Sequence, residues 1–203
     1  MIHRFIPGSS GSATLLLLHG TGGNEDDLIP LGKSIAPGAS LLSPRGQVLE
    51  RGMPRFFRRL AEGVFDEPDL IRRTAHLADF IRSAAETHHF DEKAVVALGY
   101  SNGANIAASL LLLHPEVLRG AALMHPMVPL TPQRQPRLNE TSVLITAGNN
   151  DPLVPPENTE RLAGMLRAAG ASVQVRWANG GHSIATEELD AVREWMNTYL
   201  GTP

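Results

Sequence analysis

Short apolar runs alternate with longer amphipathic stretches along the chain, and this alternation restricts the fold more than any other feature. Parallel strands that are buried on both faces read as continuous apolar runs, and the helices that cross between them read as amphipathic segments. The predicted strands are Thr14–His19, Ser40–Ser43, Ala94–Gly99, Gly120–His125, Val143–Ala147 and Val173–Trp177. The predicted helices are Leu28–Ile35, Asp69–His88, Asn102–Leu113, Pro156–Ala169 and Thr186–Leu200. The pattern therefore predicts an α/β fold of three layers, with a mostly parallel central sheet and helices on both faces.

The length, charge and composition of the chain restrict its domain organisation and the kinds of partner and site that it can have. A chain of 203 residues without repeats or charge blocks suits one domain over residues 1–203. A formal charge of -3 gives no attraction to phosphates, so we expect no nucleic-acid partner. Cysteine is absent, which excludes disulfides, thiolate metal sites and a cysteine nucleophile.

The apolar runs are too short to cross a bilayer, and residues 1–11 lack the pattern of a signal peptide. We therefore expect no integral membrane association and a cytoplasmic location. The sequence leaves open whether the protein is a monomer or a homodimer.

The pentapeptide Gly99–Gly103 reads GYSNG and lies between a predicted strand and a predicted helix. A Gly-x-Ser-x-Gly sequence in this setting forms a sharp turn that raises its serine above the sheet edge. Ser101 is therefore the candidate nucleophile. The alternative is that Ser101 only caps the helix that follows it.

A nucleophilic serine needs a base, and the base needs a carboxylate, in the chain order serine, acid, histidine for this turn. Of the eight histidines only His182 follows the fifth predicted strand, and it lies in a glycine-rich loop. Asp151 follows that strand directly and is the candidate acid, whereas Glu157 falls within the next predicted helix. As alternatives, His182 is a solvated loop residue and Asp151 only starts a turn.

Two backbone N–H groups are expected to bind the oxyanion of the transition state. The N–H of Asn102 opens the helix after Ser101, where the helix dipole favours negative charge. The second N–H is assigned to Thr21, in the glycine-rich loop that follows the first predicted strand.

The segment from Pro44 to Pro68 fits the strand and helix alternation poorly, because glycines and prolines interrupt it. Irregular segments of this length are often binding loops. Core packing is an equally good explanation of the apolar residues here and after the fourth predicted strand. The residues expected to line the substrate pocket are Phe56, Phe57, Phe65, Met127 and Val128.

Four blocks of sequence, LLLLHGTGGNEDD, ALGYSNGANIA, ITAGNNDPLVP and NGGHSI, resemble the bacterial carboxylesterase and phospholipase branch of the α/β-hydrolases, which is related to the dienelactone hydrolases. The resemblance implies ester hydrolysis through an acyl-enzyme, without a metal or an organic cofactor. It maps the nucleophile to Ser101, the acid to Asp151 and the base to His182. Dienelactone hydrolases proper use cysteine where this chain has serine, so the resemblance argues against that particular activity.

We therefore expect a carboxylesterase-type serine hydrolase that acts on esters of small to medium size. Thioesterase, lysophospholipase and lactonase activities would use the same residues. A binding protein that kept the fold without catalysis is also open, because a sequence gives residue types and not distances. A dinucleotide site is discounted, since Glu25 replaces the third glycine of the Gly-x-Gly-x-x-Gly pattern that begins at Gly20.

Overall fold

A computed structural model describes residues 1–9 and 11–200, with side chains described up to residue 197. Its strands are β1 His3–Ile6, β2 Thr14–Leu18, β3 Ser40–Pro44, β4 Val48–Glu50, β5 Met53–Arg55, β6 Arg59–Ala61, β7 Val64–Phe65, β8 Val95–Tyr100, β9 Gly120–Met124, β10 Ser142–Gly148 and β11 Ser172–Ala178. Its α-helices are α1 Ile29–Ile35, α2 Glu67–His88, α3 Asn102–Leu113, α4 Pro156–Ala168 and α5 Thr186–Leu200. No helix in the described part of the chain is long and apolar enough to cross a membrane.

A seven-stranded sheet with the order β1-β3-β2-β8-β9-β10-β11 forms the centre of the fold. All of its pairings are parallel except that of β1 with β3. The predicted fold class and all six predicted strands are confirmed. Strand β1 was not predicted, because its sequence HRFI is short and lacks a continuous apolar run.

Helices cover both faces of the sheet and produce two separate apolar cores. Side chains of β2 alternate between them, with Leu16 and Leu18 in the larger core and Leu15 and Leu17 in the smaller one. This alternation is the two-residue period of a strand. The larger core takes its helical residues from α2, α3 and α4, and the smaller one takes them from α1 and α5. The three-layer arrangement is therefore confirmed.

The segment between β3 and α2, which the sequence pattern did not resolve, forms two small antiparallel hairpins. Strand β4 pairs with β5, and β6 pairs with β7. The segment is attached to the rest of the fold by hydrogen bonds, because the N–H of Gly22 donates to the carbonyl of Pro54 at 2.9 Å. The N–H of Phe56 donates to the side-chain oxygen of Asn102 at 2.8 Å. These hairpins therefore lie beside the turn that carries Ser101.

The parallel direction of β2, β8, β9, β10 and β11 brings their carboxyl ends to one edge of the sheet. Open α/β sheets bind their ligands at this edge. The loops that leave it contain Thr21, Ser101, His125, Asp151 and His182.

Candidate active site

Ser101 occupies a strained turn between β8 and α3, with a φ of +50° that non-glycine residues rarely adopt. Its N–H donates to the carbonyl of Met124 at 2.9 Å, which holds the turn against β9. The glycines on either side of the turn are required by close packing. A Cβ atom on Gly103 would lie 1.9 Å from the carbonyl oxygen of Leu18, and one on Gly99 would lie 2.6 Å from the carbonyl oxygen of Gly103.

A hydrogen-bond chain joins the three residues that the sequence analysis selected. The Nε2 atom of His182 lies 2.9 Å from Oγ of Ser101, and its Nδ1 atom lies 2.7 Å from Oδ2 of Asp151. The other oxygen of Asp151 accepts the N–H groups of Leu153 at 2.8 Å and Val154 at 3.1 Å. The carboxylate is therefore fixed by the turn that follows it, and it orients the imidazole toward the serine.

Asp151 is buried, and its electrostatic environment favours the ionised form. Burial alone would raise the pKa of Asp151, but hydrogen bonds from His182, from the Leu153 N–H and from His125 lower it below its ordinary value. The carboxylate is therefore ionised at neutral pH.

A second histidine, which the sequence analysis did not select, lies behind Asp151. His125 directly follows β9, its side chain has 0% exposure, and its Nδ1 atom lies 3.0 Å from Oδ2 of Asp151. Its Nε2 atom lies 3.0 Å and 3.1 Å from the two carboxylate oxygens of Glu188 in α5. The position of His125 after a strand adjacent to β10 was a signal that it could lie near the site. However, only His182 satisfies the chain order of serine, acid and base.

The loops that carry Asp151 and His182 are in direct backbone contact. The N–H of Asn150 donates to the carbonyl of Gly180 at 2.9 Å. A Cβ atom on Gly148 would lie only 2.3 Å from the carbonyl oxygen of Gly181, so this contact depends on glycine. The two loops therefore hold each other in position.

The residues expected to bind an oxyanion lie on the same pocket as Ser101. The first N–H groups of a helix have no acceptor within it, and Asn102 is the first residue of α3. Thr21 also lines the pocket, and its hydroxyl accepts a hydrogen bond of 2.7 Å from Arg55. The loop before Thr21 is held by His19, which contacts the carbonyl of Gly20 through Nδ1 at 2.6 Å and accepts the Gly46 N–H through Nε2 at 3.0 Å.

The pocket has a volume of about 240 Å³. The residues that line it include Thr21, Arg55, Arg59, Glu62, Gly63, Phe65, Tyr100, Ser101, Asn102, Asn105, His125, Met127, Leu153, Val154 and His182. Phe65 and Met127 thus occupy the expected position. Phe56, Phe57 and Val128 were also expected to line the pocket, but they do not contribute to its lining.

Phe56 and Phe57 are 3% and 0% exposed and belong to the larger core, where they join the hairpin segment to the sheet. Val128 also packs against this core, and its N–H donates to the side chain of Asn158 at 2.7 Å. Apolar residues in an irregular segment can face either the core or a pocket, and the sequence pattern does not distinguish the two.

The hairpins bring two arginines to the pocket wall. Glu50 pairs with both of them, through Nε of Arg55 at 3.3 Å and a terminal nitrogen of Arg59 at 2.8 Å. Arg58 pairs instead with Asp66 and does not line the pocket. The pocket lining therefore combines two arginines that are paired with a carboxylate and the apolar side chains of Phe65 and Met127.

Ligand atoms of His125, Asp151 and His182 lie within 4.8 Å of one another, a spacing compatible with a metal ion. Hydrogen bonds between these same atoms account for the proximity, because Oδ2 of Asp151 contacts a nitrogen of each imidazole. The cluster is thus explained as a hydrogen-bond chain.

Comparison with known proteins identifies the same fold and related sequences. The model of the dienelactone hydrolase family matches residues 57–197. The Bacillus subtilis (strain 168) protein named "Putative hydrolase MhqD" is 55% identical over 96% of this chain and 97% of its own length.

Solved structures agree with this comparison. The Bacillus cereus carboxylesterase superposes with a TM-score of 0.94 and 50% identity, over 96% of this chain and 92% of that chain. A carboxylesterase from Mesorhizobium loti superposes with a TM-score of 0.87 and 36% identity, over 93% of this chain and 90% of that chain.

Proposed function

The chain belongs to the dienelactone hydrolase family, and from this membership and the geometry of the site we propose that it is a serine hydrolase for carboxylic esters of small to medium size. Ser101, His182 and Asp151 are the proposed catalytic triad. The observation that carries the proposal is the unbroken chain from Oγ of Ser101 through both nitrogens of His182 to Asp151, at 2.9 Å and 2.7 Å.

In the acylation step, Oγ of Ser101 attacks the ester carbonyl carbon while Nε2 of His182 accepts its proton. The carbonyl oxygen becomes an oxyanion that the N–H groups of Asn102 and Thr21 are proposed to bind. Collapse of the tetrahedral intermediate breaks the bond to the alcohol oxygen, which leaves with the proton from His182. The product is an acyl ester of Ser101 and a free alcohol.

In the deacylation step, water replaces the alcohol. His182 accepts a proton from the water as its oxygen attacks the acyl carbon, and a second tetrahedral intermediate forms at the same N–H groups. The intermediate collapses, Ser101 regains its proton from His182, and the carboxylic acid leaves. Asp151 stabilises the imidazolium in both steps without itself accepting a proton.

The form of the pocket supports a substrate of limited size. A volume of about 240 Å³ accommodates a short acyl or alcohol group, and Phe65 and Met127 supply apolar contact. Arg55 and Arg59 also line the pocket and are proposed to contact polar groups of the substrate. Thioester or lysophospholipid substrates would use the same triad, so assays with these substrates beside p-nitrophenyl esters of increasing acyl length decide between them.

Labelling with a fluorophosphonate tests the proposal directly, because this reagent reacts with activated serines. The wild-type protein and a Ser34→Ala control, which changes an exposed serine of α1, are expected to be labelled and to hydrolyse p-nitrophenyl acetate. Ser101→Ala is expected to lose both properties. Persistent labelling of Ser101→Ala would place the nucleophile elsewhere, and a wild-type protein that is neither labelled nor active would favour a binding protein without catalysis.

A further inference from the structure

His125 holds a position that the reaction scheme above does not use. Both of its ring nitrogens face carboxylates, with Asp151 on one side and Glu188 on the other. Oδ1 of Asp151 accepts two backbone N–H groups, and Oδ2 contacts Nδ1 of His182. Asp151 therefore acts as an acceptor, and Nδ1 of His125 must carry the proton between them.

Glu188 has the same acceptor character on the other side of the ring. Its Oε2 atom accepts the N–H of Ala185 at 2.8 Å, and it is only 2% exposed. If His125 were neutral, the buried carboxylates of Asp151 and Glu188 would have no positively charged group between them. Burying charge without a counter-ion is costly, whereas a proton on Nε2 turns His125 into the counter-ion of both carboxylates.

The charged and titratable groups that face His125 come from every element around it. They are Asp151 after β10, Glu188 of α5, His182 after β11 with ring centroids 5.1 Å apart, and Tyr100 of β8 with ring centroids 5.9 Å apart. Burial alone would lower the pKa of His125, but Glu188 and Asp151 raise it above its ordinary value. Burial, Asp151 and Glu188 raise the pKa of Tyr100, so its phenol stays neutral.

We propose that His125 is a protonated positioning residue that fixes Asp151 and places a positive charge beside the ring of His182. The inference rests on the proposed function only in giving His182 the role of base. The protonation of His125 itself is independent of that role.

The same contacts form a closed structural ring. Glu188 is the third residue of α5 and accepts the N–H of Ala185, which is one half of a capping box. Contacts between side chains link His182 to Asp151, Asp151 to His125 and His125 to Glu188. The chain segment from 182 to 188 joins the two ends of this series, so that a closed ring results. The loop of the base and the start of α5 are held by one buried cation.

Nuclear magnetic resonance of the wild-type protein labelled with ¹⁵N-histidine tests the protonation state. We expect the ring of His125 to show protons on both nitrogens at pH 7, and these signals to be absent from the His125→Asn variant. Asparagine suits this position because the φ of His125 is +52°, a conformation that asparagine tolerates better than most residues. A single protonated nitrogen at pH 7 in the wild-type protein would overturn the proposal.

The pH profile of kcat/KM tests the effect on the base. His125→Asn retains a donor toward Asp151 but removes the positive charge, so we expect the acid limb to move to higher pH by about 0.5–1 unit. The double variant with His125→Asn and Glu188→Gln removes both charges together and leaves no unpaired carboxylate at residue 188. We expect its acid limb also to move to higher pH. His76→Asn changes an exposed histidine of α2 and is expected to leave the limb in place.

An acid limb that coincides with that of the wild-type protein in both variants would overturn the proposal. If the single variant does not fold, the double variant and the wild-type resonance data decide it. If the protein hydrolyses no ester, the proposed function fails, and the ring protons of His125 still test the inference separately.

Discussion

The Tyr100 hydroxyl donates a hydrogen bond of 2.9 Å to the carbonyl oxygen of His182, so the residue before the candidate nucleophile holds the loop of the candidate base. Tyr100→Phe removes this bond and retains the ring. Because such a bond contributes about 1 kcal/mol, we expect kcat/KM for a p-nitrophenyl ester to fall roughly 3- to 10-fold. Steady-state kinetics measure the effect, with thermal unfolding as the check on the fold. A folded variant with full activity would mean that the loop is held without the phenol.

Asp151→Asn replaces the carboxylate that orients His182. The amide favours the wrong imidazole tautomer and stabilises the imidazolium less, so we expect kcat to fall by about 10³–10⁴. Glu157→Gln is the matched control, because Glu157 is an exposed carboxylate in the first turn of α4. Activity measurements that show similar losses for both variants would contradict the assignment of the acid.

Gly103→Ala tests the packing of the turn at Ser101. An added Cβ atom would lie 1.9 Å from the Leu18 carbonyl oxygen, so the helix or the strand must shift. We expect a loss of unfolding free energy of at least about 2 kcal/mol, in the upper part of the usual range for single substitutions. Urea denaturation measures this loss.

Gly164→Ala is the control for that substitution, because a Cβ atom there meets nothing within 4 Å. This glycine lies inside α4, where alanine has the higher helix propensity, so we expect a gain of about 0.5–1 kcal/mol. Equal effects of the two substitutions would show that close contact at residue 103 does not limit stability.

The buried pair of His125 and Glu188 predicts a dependence of stability on pH. The pKa of His125 is raised in the folded protein above the ordinary value of 6.5. Its contribution is therefore complete below pH 6.5 and is lost as the pH rises through the folded pKa, with a slope of at most about 1.4 kcal/mol per pH unit. Urea unfolding between pH 6 and pH 9 is expected to show a smaller slope in the double variant with His125→Asn and Glu188→Gln. Identical slopes would exclude a proton held in this cluster.

The sequence predicted β2, β8, β9 and β10 well because each is buried along nearly its full length and reads as an apolar run. Thr14–Leu18 and Gly120–Met124 are buried along their full length. Strand β1 lies at the sheet edge with only partial burial, and the hairpin strands are two or three residues long. Elements this short depend on tertiary contacts, and no local pattern marks them.

The proposed triad could be selected from the sequence because each of its residues follows a separate strand and the order of the residue types is restricted. His125 was missed although it also follows a strand, since its two partners are 26 and 63 residues away in sequence. The pocket was harder to predict than the triad. Phe57 and Phe65 lie in one irregular segment and pack edge to face at a centroid distance of 5.0 Å, yet only Phe65 lines the pocket.

The two hairpins between β3 and α2 supply Arg55, Arg59 and Phe65 to the pocket wall, whereas Ser101, Asp151 and His182 follow strands of the central sheet. The proposed catalytic groups and the groups proposed to contact the rest of the substrate therefore come from separate stretches of the sequence. Substitutions that accumulate in residues 45–66 can change which esters are accepted while the reactive groups stay intact.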